Sequence, residues 1–240
     1  MPILSAFGAA KAIGVAGNPS VQNYSYDFNS GVVTYPTSSS FAIGSTTDFS
    51  IECFVYLDAA PAISAPVLDF GFSTTLGTTY NLRCQFYIDS NRRLVFVRNL
   101  NTSIQTVSGG STQISLSTWT YIACSRVSNN LKMFVGTTQV VPSGGTLVGG
   151  PIQTAAAPPT IGNGSVQTSR YIDGKISNLR FNVGSGFSSA TIPTQPLTAG
   201  ATTKILTCQS ATIKDNSVAN AGGPWSITSS GVTVSGSGPF

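Results

Sequence analysis

Charge is scarce in this sequence. Lys and Arg total 12 and Asp and Glu 8 in 240 residues, so 8% of the chain is charged, where an ordinary soluble protein has roughly a quarter. Arg92-Arg93 is the one adjacent basic pair, and a net charge of +4 spread this thinly makes no dense basic face. Binding to nucleic acid, which needs several phosphates neutralised together, is therefore excluded from the reading. A surface so poor in charge self-associates unless it is covered, which points to a protein living in an assembly.

Histidine is absent, and with it the commonest general base. Glu52 is the sole glutamate, and no two of the eight acids, Asp27, Asp48, Glu52, Asp58, Asp69, Asp89, Asp173 and Asp215, lie within three residues of each other. The paired carboxylates of a glycoside hydrolase are not written in any local motif. No Gly-x-Ser-x-Gly elbow occurs either. The expectation is a protein that is not an enzyme.

The four cysteines, Cys53, Cys84, Cys124 and Cys208, have no CxxC or CxxH spacing, so zinc is unsupported. Each lies in a strand-like run and reads as a small buried hydrophobe. A Cys53–Cys84 bridge is conceivable, but four free thiols fit better, and they suit assembly in a reducing cytoplasm. No apolar run approaches the ~18 residues of a membrane span. The N-terminus lacks the basic region of a signal peptide and is interrupted by Lys11.

Glycine (25), proline (13) and hydroxyl residues supply what charge does not. Thr suits a pleated surface, and Gly and Pro suit turns, so the composition reads as all-β. From Tyr24 onward short alternating runs follow one another. Phe49, Ile51, Cys53, Val55 and Leu57 share one face of a long strand whose other face carries Ser50, Glu52, Phe54 and Tyr56. Two partly apolar faces predict a strand covered on both sides for part of its length. Tyr80–Ile88, Leu94–Val97, Thr112–Leu116, Trp119–Val127 and Leu131–Val135 extend an antiparallel meander of hairpins. Arg170–Phe181 also reads as a strand, although its alternation is imperfect.

Residues 1–19 stand apart as a small-residue arm, and 20–240 read as one sandwich. A helix of one or two turns is not stable alone, so the arm is expected to fold by docking, with Ile3, Leu4 and Phe7 as its anchors.

Taken in order, SFAIGSTTDFSIECFVYL, WTYIACSRVSNNLKMFVG, YIDGKISNLRF and the pair IPTQPLT and TKILTCQSATIKDNSVAN resemble the concanavalin-A-like lectin/glucanase fold, specifically laminin-G-like domains. They look most like the versions found in tailed-phage structural proteins. The resemblance runs from Asn23 to about Phe240 and leaves the arm outside. It implies an antiparallel β-sandwich of jelly-roll type.

It also implies two kinds of site. Laminin-G-like domains often bind calcium between loops, and Asp69, Asp173 and Asp215 with Asn163 or Asn216 are the oxygen ligands to test. The better reading of these residues makes Asp173-Gly174 and Asp215-Asn216 turns and Asp69 a polar-face strand residue. Sugar binding needs an exposed aromatic platform with a few polar partners, for which Trp225, Tyr80, Tyr87 and Tyr171 are candidates. Arg92, Arg93 and Arg98 could grip an acidic polysaccharide, or simply face solvent. The expected role is a virion protein of a tailed phage, assembled in the host cytoplasm. Its partners would be other virion proteins, a host surface glycan and copies of itself, a trimer being favoured. A free lectin, with calcium in its site, is the alternative.

Overall fold

The computed structural model describes residues 23–72, 74, 83–100, 103–140, 145–147, 152, 158–164, 169–218 and 224–240. The docking arm with Ile3, Leu4 and Phe7 lies outside these residues, as does Tyr80. Within them the chain makes β1 Ser25–Asp27, β2 Val32–Thr34, β3 Phe49–Leu57, β4 Ser64–Asp69, β5 Arg83–Asp89, β6 Leu94–Asn99, β7 Ile104–Ser108 and β8 Thr120–Val127. There follow β9 Asn130–Val135, β10 Thr138–Gln139, β11 Gly145–Thr146, β12 Thr160–Ile161, β13 Gly174–Val183, β14 Thr203–Thr207, β15 Thr228–Ser230 and β16 Thr233–Ser235. The expected strand over Thr112–Leu116 does not form. Ile114 donates its amide to the Arg92 carbonyl, and Leu116 makes one isolated bridge to Leu57.

The strands build two antiparallel sheets. One runs β10-β9-β8-β3-β13-β1-β16, with β11 on β9 and β14 on β13, and the other runs β15-β2-β12-β4-β5-β6-β7. Their inner faces close on one core, where Phe49 meets Phe96 at 5.6 Å and Phe70 meets Phe181 at 5.2 Å between ring centroids. The all-β sandwich expected from the sequence is what forms. Cys53, Cys84, Cys124 and Cys208 are all free and buried, so the Cys53–Cys84 bridge is not made. Burial pushes each of these thiols well above its ordinary titration range.

Strand β3 is covered on both sides, as its two faces predict. Phe49, Ile51, Cys53, Val55 and Leu57 enter the core. On the outer face Phe54 joins Tyr121, Ala123 and Phe134 in a second apolar cluster, against which Phe187, Ala190, Trp119 and Phe240 pack.

The irregular alternation of β13 has a physical cause. Ile176 faces the core, and so do Leu179 and Phe181, three and five residues later. One residue too many separates Ile176 from Leu179, and the register against β3 shifts between Ser177 and Arg180. Asn178, with φ of 55°, takes up the extra residue as a β-bulge. Its Oδ1 accepts from the Leu197 amide at 2.9 Å, which fixes the covering segment to the bulge.

Candidate functional site

The turn from β3 to β4 and the approach to β13 meet at one rim of the sandwich. Asp58 donates its amide to the Asp173 carbonyl at 3.0 Å. Gly174 can follow because its φ is 141° and a Cβ there would lie 2.1 Å from the Tyr56 carbonyl oxygen. Ile172 is fully buried and donates its amide to the Gly162 carbonyl at 2.8 Å. Alternation along the chain then turns its neighbours, Tyr171 and Asp173, away from the core.

Between these segments opens a hollow of about 230 Å³, lined by Pro61, Ile63, Ser64, Ser169, Tyr171 and Asp173 among others. Ile63 is 55% exposed and Tyr171 40%, which puts an aliphatic and an aromatic surface at the mouth. Ser64 is 4% exposed, and its Oγ is buried with no hydrogen-bond partner. A buried hydroxyl left unpaired is costly, and a turn of the Ser64 side chain is what would bring it to a partner in the hollow. An exposed aromatic face beside polar groups that converge is the arrangement that holds a sugar ring.

A second hollow, also of about 230 Å³, lies on the outer face of the β3 sheet and is lined by Glu52, Tyr121, Arg180, Phe187, Ser189 and Thr191. Among the described residues Glu52 is its only carboxylate. One of its oxygens accepts from Arg180 and the other from the Tyr121 hydroxyl at 2.7 Å. The Tyr121 phenol is pushed far up, first by burial and then by the Glu52 charge. Glycoside hydrolysis requires a second carboxylate across the hollow, and none of the described residues that line it supplies one.

Of the residues singled out by sequence, the structure brings Tyr171 and Asp173 into one hollow with Asn163 bridged to Tyr171, sets Asp215 against Trp225 elsewhere, and keeps the others apart. Trp225 is half-buried and packs against the core. Its ring packs on Phe41 at 5.1 Å, and its indole N–H donates to the Lys204 carbonyl at 2.9 Å. Tyr87 is half-buried on β5, opposite Val95 on β6. Arg92 donates to the Ile114 carbonyl and to Gln113, and Arg93 pairs with Asp89 at 2.8 Å. Arg98 is buried and donates to Gln105. All three arginines are thus engaged with partners inside the protein.

The calcium set is not assembled. Asp69 is buried and accepts from the Phe72 amide at 2.8 Å. Asp215 is also buried and accepts from the Tyr35 hydroxyl, the Ser217 hydroxyl and the amides of Leu206 and Trp225. Asn163 donates to the Ser30 carbonyl at 3.0 Å and bridges to Tyr171 through its backbone. Asn216 donates to the Ser210 hydroxyl. Among the described residues no group of three or more His, Cys, Asp or Glu is placed to hold a metal ion.

The family model of the Concanavalin A-like lectin/glucanases superfamily matches residues 27–183. No curated protein matches the chain by sequence. Among solved structures, a candidate carbohydrate binding protein from Bacteroides ovatus superposes with a TM-score of 0.58 at 12% identity, over 89% of this chain and 59% of that one. The chain therefore spans well under two thirds of that protein. Domains LG4-5 of the mouse laminin alpha1 chain give 0.47 at 13% identity, over 69% of this chain and 45% of that one. The enzymatically active domain of tailspike protein 2 of bacteriophage CBA120 gives 0.46 at 12% identity, over 65% and 24%.

Proposed function

Because this chain belongs to the Concanavalin A-like lectin/glucanases superfamily, we propose that it is a non-enzymatic glycan-binding module displayed on a tailed-phage particle. The observation that carries the binding half is the rim hollow, where exposed Tyr171 stands beside Asp173 and the unpartnered Ser64 hydroxyl. The non-enzymatic half is supported by the use of Glu52. Its oxygens already serve Arg180 and Tyr121, and among the described residues it has no carboxylate partner in its hollow.

The particle half rests on the sequence: its likeness to phage structural proteins, its low charge, and the apolar arm ahead of the sandwich. Ile3, Leu4 and Phe7 dock into another virion protein, on a tail fibre or a decorated capsid, and the sandwich faces outward toward a host glycan. Self-association into a trimer would cover the charge-poor surface.

Two experiments test the halves separately. A glycan array probed with the whole chain should register binding that Tyr171→Ala abolishes; silence across the array overturns the lectin half. Deletion of 1–17 should abolish incorporation into particles while the sandwich stays folded. Unchanged incorporation overturns the docking arm. Binding by a chain that never enters particles would make it a free lectin instead.

A further inference from the structure

Resting on the rim-site reading above, we propose that the hollow takes one uncharged sugar residue, a neutral hexose or N-acetylhexosamine, and rejects uronate, sialylated and sulfated sugars. The volume comes first. About 230 Å³ is below the roughly 300 Å³ at which drug-sized pockets begin. One pyranose ring fills it, and the rest of a longer glycan stays outside.

Charge comes second. Among the described residues Asp173 is the one charged member of the lining, and it is negative. Lys175, two residues along, is committed elsewhere. Its ammonium lies 3.7 Å from Asp27 and 3.6 Å from Asp58, and stands 4.9 Å over the Tyr56 ring. Arg170 precedes Tyr171 in sequence but does not line the hollow. An anionic sugar would set its own charge against Asp173 with no cation in the described lining to offset it, and like charges at contact distance repel appreciably even under water screening. A neutral ring instead donates two of its hydroxyls to the same carboxylate, a charge-assisted pair of bonds.

The third element is Ser64. Ser64 lines the hollow and its Oγ, buried and without a partner, gains one when the side chain turns to meet a ligand hydroxyl. Ile63 and Pro61 give an apolar wall away from these polar groups, suited to a C–H face or an acetamido methyl.

The test is an array carrying neutral hexose and N-acetylhexosamine oligomers beside uronate, sialylated and sulfated ones, probed with the whole chain and three variants. Neutral glycans should bind, and Tyr171→Ala should weaken them about tenfold or more. Ser64→Ala should weaken them about threefold to tenfold while leaving the melting temperature unchanged or raised, because the hydroxyl has no partner in the protein. A fall in melting temperature with full binding would make Ser64 merely structural and overturn its role. Asp173→Asn should lose neutral ligands and gain about tenfold toward uronates. Tyr171-dependent binding that favours anionic glycans overturns the ligand class and leaves the rim site standing. No binding to any glycan, or binding indifferent to Tyr171→Ala, overturns the rim site and the ligand class together.

Discussion

The Arg180 guanidinium grips a single oxygen of the Glu52 carboxylate, with Nε at 3.0 Å and Nη2 at 2.7 Å. The two residues are register partners on β13 and β3. The bulge at Asn178 makes this possible, because the slip in register brings Arg180 to the outer face opposite Glu52. Arg180 also reaches out to the Thr198 carbonyl at 3.0 Å, tying the covering segment to the sheet. The pair acts as a brace for the outer face.

Removing one partner should therefore cost more than removing both. Glu52→Ala leaves the Arg180 charge unpaired and frees the Tyr121 hydroxyl, and should lower stability by about 2–3 kcal/mol. That is less than the roughly 3–5 kcal/mol of a fully buried pair, because the Arg180 side chain is a quarter exposed. A double-mutant cycle with Arg180→Ala, read by urea denaturation, should return a coupling of about 1 kcal/mol or more. Additive losses would show that the two residues brace the face independently.

The sheet-forming pattern was legible because it is local. Alternation over Phe49–Leu57 marks both faces of β3, and the second apolar cluster lies where Phe54 predicts it. The irregularity of β13 was visible too, but its cause was not. An extra residue at Asn178 is recognisable as a bulge only when the partner strand is known. Tyr171 and Asp173 could be named from sequence, yet Ser64 could not. In the run Ala62-Ile63-Ser64-Ala65-Pro66 nothing distinguishes a loop serine from a buried one. Glu52 and Arg180 stand 128 positions apart, and no local motif connects them. The partners of Trp225, Phe41 and the Lys204 carbonyl, are distant in sequence, so no local pattern tells a packed tryptophan from an exposed one.

Trp225 separates a structural aromatic from a binding one. Trp225→Ala removes the ring contact with Phe41 and the bond to the Lys204 carbonyl, and should cost about 2–4 kcal/mol. Conditions that keep the variant folded should preserve its glycan binding in full. Selective loss of binding with an unchanged denaturation midpoint would return Trp225 to the site.

Asp215 offers a similar contrast with the calcium reading. Its carboxylate accepts from Tyr35, Leu206, Ser217 and Trp225, so its oxygens are engaged by the protein itself. Asp215→Ala strands these donors and should cost about 3 kcal/mol or more. Chelation of calcium should leave the melting temperature of the unmutated protein where it was. A drop on chelation, restored by added calcium and missing in a folded Asp215→Asn variant, would place an ion there.

Alkali should unfold this protein earlier than its low charge suggests. Tyr26 is fully buried, donates to the Thr212 carbonyl at 2.7 Å and accepts from the Lys214 amide at 3.1 Å. Burial pushes its phenol from 10.0 up to about 12. Tyr35, buried beside Asp215, moves further in the same direction, and so does Tyr121 beside Glu52. The folded state thus keeps protons that the unfolded chain releases near pH 10. The stability tied to these phenols is complete below that value and is lost as pH rises toward 12. The four buried thiols, ordinarily near 9.0, are raised as well and begin the loss about one unit earlier. Urea midpoints under reducing conditions should be flat from about pH 7 to 9, fall from there, and fall more steeply above about 10. A midpoint at about pH 11 equal to that at about pH 7 would mean that these phenols and thiols reach solvent without unfolding.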